Sequence, residues 1–172
     1  MSRSLQATAA AIGEAKIAMT TATYQTSFHT QLYEQDFSLW LEQAVELLRQ
    51  GNLTNLDIEN LIEEIECMGR SEKQAVKSNL EIILMHLLKY KYQPKKRSNS
   101  WRYTLLEHRR RLDDAFKTSP SLKRYFLQEF ENCYQGARKL ASVETGLAIA
   151  TFPLENPFAI AQVLDEDYLP EN

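Results

Sequence analysis

Glycine and proline are both scarce, five of each in 172 residues, and most fall at joints between stretches of apolar periodicity. That distribution argues against short strands with tight turns and favours long helices. Cysteine is rarer still. Cys67 and Cys133 lie far apart and neither belongs to a Cys-x-x-Cys pair, which argues against a redox or metal role. Both read as reduced, packed thiols of a cytoplasmic protein. Histidine occurs only as His29, His86 and His108, and none stands three residues after a glutamate. A carboxylate-bridged di-metal bundle needs that spacing on two helices, and zinc needs three or four converging ligands. No metal and no cofactor is expected.

Long apolar runs are missing too. The strongest, Ile82 to Leu88, is broken by His86 and followed at once by Lys89, well short of the ~18 residues that span a bilayer. No membrane segment and no secretory signal is expected. Residues 1–18 are rich in Ala and Ser with two cations and one anion, and Met19-Thr-Thr-Ala-Thr resembles a natural start. Residues 1–18 faintly resemble a transit peptide but read rather as an upstream addition, and residues 1–31 as a flexible extension ahead of the folded part.

What is present is helical periodicity. Phe37, Trp40, Leu41, Ala44, Leu47 and Leu48 recur at helical spacing from Asp36 to Gly51, with Glu42 and Glu46 toward solvent. Asp57 caps a second helix with a stripe of Ile58, Leu61, Ile62 and Ile65, and with Glu59, Glu63, Glu64 and Glu66 on its other side. Gly69 ends or merely interrupts it, and Ser71 with Glu72 offers a new start. The pattern leaves open whether 58–92 is one helix or two. Val76, Leu80, Ile83, Leu84, Leu87 and Leu88 continue an apolar face to Pro94, where the helix stops. Ser100 is read as the next cap, ahead of a stripe of Trp101, Leu105, Leu112 and Phe116. Ser119-Pro120 starts another helix, with Leu122, Phe126, Phe130, Cys133, Ala137 and Leu140 on one face as far as Gly146. Pro157 is read as opening a short helix through Leu164, before an acidic, irregular tail. The expected architecture is all-α: one domain over 32–172, a bundle of four to five main helices with a short C-terminal helix.

Chemistry is harder to find. Glu63-x-x-Glu66 supplies half of a magnesium-binding carboxylate motif of the helical nucleotide pyrophosphatase kind, but no Glu-x-x-Asp follows downstream. His86, flanked by Ile-Leu-Met and Leu-Leu, is the titratable residue of most interest. Burial and a neighbour such as Glu107 would tune it as a general base. A lone histidine on an apolar helix is more often a hydrogen-bonded core residue, and a glutamate-rich face is more often merely solvated. No Gly-rich phosphate loop, serine nucleophile elbow or Cys-His pair is present.

Charge asymmetry is the positive signal. From Glu34 to Glu66 there are nine acids against Arg49 alone, and from Lys89 to Arg111 nine bases against Glu107 alone. The two segments are formally −8 and +8, although the chain nets only −3. Lys89, Lys91, Lys95, Lys96, Arg97 and Arg102 interleave with Tyr90, Tyr92, Trp101 and Tyr103, a pattern in which cations meet phosphates and rings stack on bases. Alternatively the acidic and basic segments pair, within one molecule or between copies, and steer association.

Several stretches together resemble the cyanobacterial family called domain of unknown function 29. They are Leu61-Ile-Glu-Glu-Ile-Glu66 running into Gly69-Arg-Ser-Glu-Lys73, His86-Leu-Leu-Lys-Tyr-Lys-Tyr-Gln-Pro94, Arg97-Ser-Asn-Ser-Trp101 and Ser119-Pro-Ser-Leu-Lys123. Glu144-Thr145, Phe152-Pro153, Leu164-Asp165 and Leu169-Pro170 complete the set. The resemblance covers about residues 32–171. It implies an α-helical fold and a bacterial cytoplasm, and it transfers no catalytic residue. Members carry a cysteine before the proline near position 157, where this chain has Asn156.

The sequence thus favours a non-enzymatic protein-interaction or regulatory module, bound to its own copies or to another protein. A nucleic-acid-associated regulator using Lys89, Lys91, Lys95, Lys96, Arg97, Arg102 and Trp101 is second. A hydrolase or nucleotide-processing enzyme using Glu63, Glu66 and His86 is third.

Overall fold

The computed structural model describes residues 31–171 and is an all-α helical bundle, with no strand among the described residues. Of the extension expected over 1–31, only Gln31 lies within the described residues, and it is helical. The chain gathers into two compact units, the first ending at Met68 and the second beginning at Gly69.

In the first unit, residues 31–35 are helical and lead into α1, Phe37–Arg49. The Asp36 carboxylate accepts from the Leu39 amide at 3.0 Å, satisfying a donor that a helix start leaves unpaired. Gly51, at φ 67°, ends the helix in the left-handed conformation that glycine adopts without steric cost. A 3-10 turn, Leu53–Asn55, leads to α2. Buried Asp57 accepts from the Asn60 amide at 3.4 Å and its side-chain nitrogen at 2.8 Å.

Helix α2 runs unbroken from Ile58 to Tyr92, 35 residues, so the open question at Gly69 resolves as one helix. A Cβ on Gly69 would meet nothing within 4 Å, and Ser71 and Glu72 stand inside the helix. An interior glycine costs about 1 kcal/mol relative to alanine, too little to break so long a helix.

In the second unit Pro94 ends α2 and opens a 3-10 turn, Pro94–Lys96. Helix α3, Asn99–Thr118, is capped by Ser98, whose hydroxyl accepts from the Trp101 amide at 3.3 Å. The cap thus falls two residues before Ser100, because Ser98 holds the extended backbone a cap requires. Helix α4, Leu122–Thr145, follows a turn in which Leu122 and Lys123 donate to the Ser119 and Pro120 carbonyls. Gly146, at φ 72°, closes it. After a 3-10 turn at Ile149–Thr151 comes α5, Ile160–Leu164. It starts three residues after Pro157, because Asn156 Oδ1 accepts from the Phe158 amide at 3.1 Å and holds that stretch in a turn.

The core of the second unit joins Leu80, Ile83, Leu84 and Leu87 of α2 to Leu105 and Leu112 of α3 and to Phe126, Cys133 and Ala137 of α4. Phe152, Phe158 and Val163 complete it. Each large side chain buried this way contributes about 1.5–3 kcal/mol. Leu140, expected on this face, is exposed; Ala141 is the buried residue. Ala137 and Ala141 repeat at four residues and hold the register, leaving Leu140 one position round the helix.

Candidate functional site

His86 lies on the buried side of α2. Its Nδ1 donates to the Ile82 carbonyl at 3.0 Å, which leaves Nε2 as the basic nitrogen. Burial lowers its pKa below the ordinary imidazole value; the Ile82 bond opposes that shift and the Lys89 charge adds to it. Lys89 is also buried, paired with Glu144, its ammonium 4.6 Å from the Trp101 ring centroid. His108 Nδ1 stands 2.6 Å from Asn79 Oδ1. Asn79 Nδ2 donates to the Ala75 carbonyl at 2.7 Å, so Oδ1 is the acceptor and His108 carries its proton on Nδ1.

The hydrogen bonds of His86 and His108 go to a backbone carbonyl and to Asn79, while Glu144 acts on His86 and Glu107 on His108 through charge. Glu107 bonds Arg111 at 2.5 Å, and the His86 hydrogen bond goes to backbone. Glu63 and Glu66 belong to the first unit, His86 and Glu107 to the second. Among the described residues no three of His, Cys, Asp or Glu converge as a metal-holding group.

The basic segment is divided by burial. Arg97 Nε donates to the Tyr90 carbonyl at 2.9 Å, and its guanidinium stacks 4.4 Å from the Tyr90 ring centroid. Lys91 and Trp101 are half-buried; Lys95, Lys96 and Arg102 are exposed. Tyr92 meets Phe152 edge-on at 5.4 Å, so of the interleaved rings Tyr103 alone is largely exposed, at 66%.

Arg109 is withdrawn altogether. Only 2% exposed, it donates from Nε to the Val163 carbonyl at 3.0 Å, from Nη1 to Glu166 at 3.1 Å and from Nη2 to Gln162 at 3.2 Å. It satisfies carbonyls at the end of α5 that would otherwise lack partners. Sequence reading missed this role, although a signal exists. The apolar stripe of α3 skips from Leu105 to Leu112, and Arg109 fills the vacant heptad position. Two clefts, of about 290 and 300 Å³, flank it. The first has Arg102 on one wall and Glu166 and Asp167 on the other, so it carries no field of one sign.

The first unit offers a different surface. The Tyr33 hydroxyl donates to Glu64 at 2.6 Å, which ties the segment ahead of α1 to the first two turns of α2. Trp40 is buried, 5.0 Å from the Tyr33 ring, and Ala44 and Leu56 are buried with it. Much of the remaining apolar surface is open. On α2, Ile58 is 45% exposed, Ile62 52%, Ile65 60% and Met68 68%. On α1, Phe37, Leu41, Val45 and Leu48 are exposed as well. These residues recur at three and four positions, so each helix presents a row. The stripe read from sequence on Ile58, Ile62 and Ile65 exists, but it faces outward.

The family model described as Domain of unknown function DUF29 matches residues 32–169. The chain belongs to that family. The DUF29 match takes in α1 through α5, with the outward rows of the first unit and the Arg109 anchor of the second. No curated protein and no solved structure matches the chain. The DUF29 description names no activity, so chemistry rests on the side chains themselves. Among the described residues no helix is long and apolar enough to cross a membrane.

Proposed function

We propose that the chain is a non-enzymatic protein-binding module, and that its first unit receives an amphipathic helix of another protein. One observation carries this reading: the outward rows of α1 and α2, with Ile62 and Ile65 more than half exposed. Helix faces that leave such residues uncovered at three- and four-residue spacing suit the anchors of another amphipathic helix. The engagement of Trp101, Tyr90 and Tyr92 inside the second unit weighs against a base-stacking surface there. The turn of Glu107 toward Arg111 weighs against acid–base catalysis at His86. A reducing cytoplasm as its setting is supported by Cys67 and Cys133, both free thiols.

The reading is tested with an uncharged amphipathic peptide of Leu and Gln, about 18 residues or five turns long, titrated into the full chain by fluorescence anisotropy. Saturable binding that disappears in the Ile62→Asp/Ile65→Asp variant, with helix content unchanged by circular dichroism, is the expected result. Equal binding by chain and variant, or none by either, overturns it.

A further inference from the structure

Asn99, Arg102, Leu106 and Arg109 follow one another at three and four residues along α3, so they share one face of that helix. From this face the Arg109 guanidinium reaches the carbonyls of Gln162, Val163 and Glu166. It therefore lies at the foot of the cleft of about 290 Å³ that these α3 residues line together with Glu166, Asp167 and Leu169. A guanidinium carries five N–H groups. Three are spent on the carbonyls, so one on Nη1 and one on Nη2 keep no acceptor, although Arg109 is only 2% exposed. A buried donor without an acceptor is unfavourable, and an oxygen brought by a ligand relieves it.

The charges around this cleft are not paired across it. Glu166 turns to Arg110 at 3.5 Å. The Arg102 guanidinium and the Asp167 carboxylate, both exposed, enter no ion pair or hydrogen bond among the described residues. The cleft of about 300 Å³ on the other side of Arg109 differs in this respect. There Asp113 is held by Lys117, and Lys123 stands 5.9 Å from the Phe116 ring centroid.

We infer that the first cleft binds a free α-amino acid with an aliphatic side chain. Arg102 and the two spare N–H groups of Arg109 receive its carboxylate, and Asp167 receives its ammonium. Leu106 and Leu169, both half-buried over the enclosed Leu105, receive its side chain. The volume stands at the lower end of the roughly 300–1,000 Å³ of ligand pockets, room for a small metabolite and not for a nucleotide. Charge decides the class. A simple anion meets Asp167 and Glu166, a simple cation meets Arg102, and a neutral molecule leaves both signs unmatched. A free amino acid carries both charges on one carbon, and a forked guanidinium is the side chain best shaped for its carboxylate.

The test titrates leucine, N-acetyl-leucine, leucine methyl ester and glycine into the full chain, followed by amide NMR shifts. Leucine is expected to saturate with a dissociation constant of about 1 mM, the reach of so small a ligand, with shifts concentrated over residues 99–109 and 162–169. The acetyl derivative lacks the ammonium and the ester lacks the carboxylate, so each should bind about tenfold more weakly. Glycine, without an apolar part, should be weaker too. Arg102→Gln should weaken leucine about tenfold and leave the ester unchanged, and Asp167→Asn should weaken leucine and leave the acetyl derivative unchanged. Amide shifts that match the parent elsewhere show that both variants fold. No saturation by about ten times the expected constant, leucine bound no better than glycine or either derivative, or leucine indifferent to both substitutions overturns the assignment.

Discussion

The Nε of Arg109 lies 3.0 Å from the carbonyl oxygen of Val163, 54 residues further along the chain. With the bonds to Gln162 and Glu166, one guanidinium holds three carbonyls of the C-terminal segment. Burial of the guanidinium lowers the Arg109 pKa from its ordinary value.

Arg109→Ala leaves those carbonyls without their donor and opens a cavity beside Val163. Loss of a buried, multiply bonded cation costs on the order of 3–5 kcal/mol. The variant should melt well below the parent, and limited proteolysis should release fragments ending near residue 159 before α4 is cut. Equal protease resistance of the segment in both proteins would refute the anchoring role.

Lys89 and Glu144 form an unequal pair: the lysine side chain is 9% exposed and the glutamate 47%. Glu144→Gln strands a buried ammonium and is expected to cost about 1–3 kcal/mol. Lys89→Met keeps the packing of the stem on Trp101 and frees a half-exposed carboxylate, which costs at most about 1 kcal/mol. Chemical denaturation of both variants checks the order, and a larger loss in Lys89→Met would contradict it.

His86 and His108 both have pKa values lowered, in each case chiefly by burial. The unfolded chain titrates its histidines near 6.5. Above that value neutral imidazole is common to both states and the stability is fully present. As pH falls through 6.5 toward the lower folded values, the unfolded chain binds protons first, and stability is lost. Melting temperature should therefore drop between pH 7.5 and about 5.5, and His86→Gln should flatten that drop. An unchanged slope in the variant would remove His86 as its source.

Burial pushes the Cys133 thiol up to about 11, and its side chain is fully enclosed, whereas Cys67 is exposed. A thiol reagent at neutral pH should therefore label Cys67 promptly and Cys133 only on unfolding, because reaction needs an accessible thiolate. Mass spectrometry of the labelled peptides distinguishes them.

The helix ends were legible in the sequence because their signals are local. Asp36, Gly51, Asp57, Pro94 and Gly146 act on backbone within a few residues. Gly69 was ambiguous because a glycine inside a helix and one that ends it look alike without φ. The apolar face of α2 from Val76 to Leu88 was legible from its period and is buried as read. The same period over Ile58, Ile62 and Ile65 marks a face without stating what covers it, and here the face is open. Arg109 and Lys89 were counted among surface bases because their partners lie 53 to 57 residues away in sequence. No local rule foresees a contact of that range. The −8 and +8 segments are real as composition, but burial withdraws two members from the basic one.

The reach of Arg109 also orders events during synthesis. Its last acceptor, the Glu166 carbonyl, is added 57 residues after it. At ordinary translation rates that is roughly 3–11 seconds. Through that interval the Arg109 guanidinium lacks at least one of its three carbonyl acceptors. The segment from Gln162 to Glu166 thus supplies the last backbone partners of the α3 seam, long after α3 itself is made.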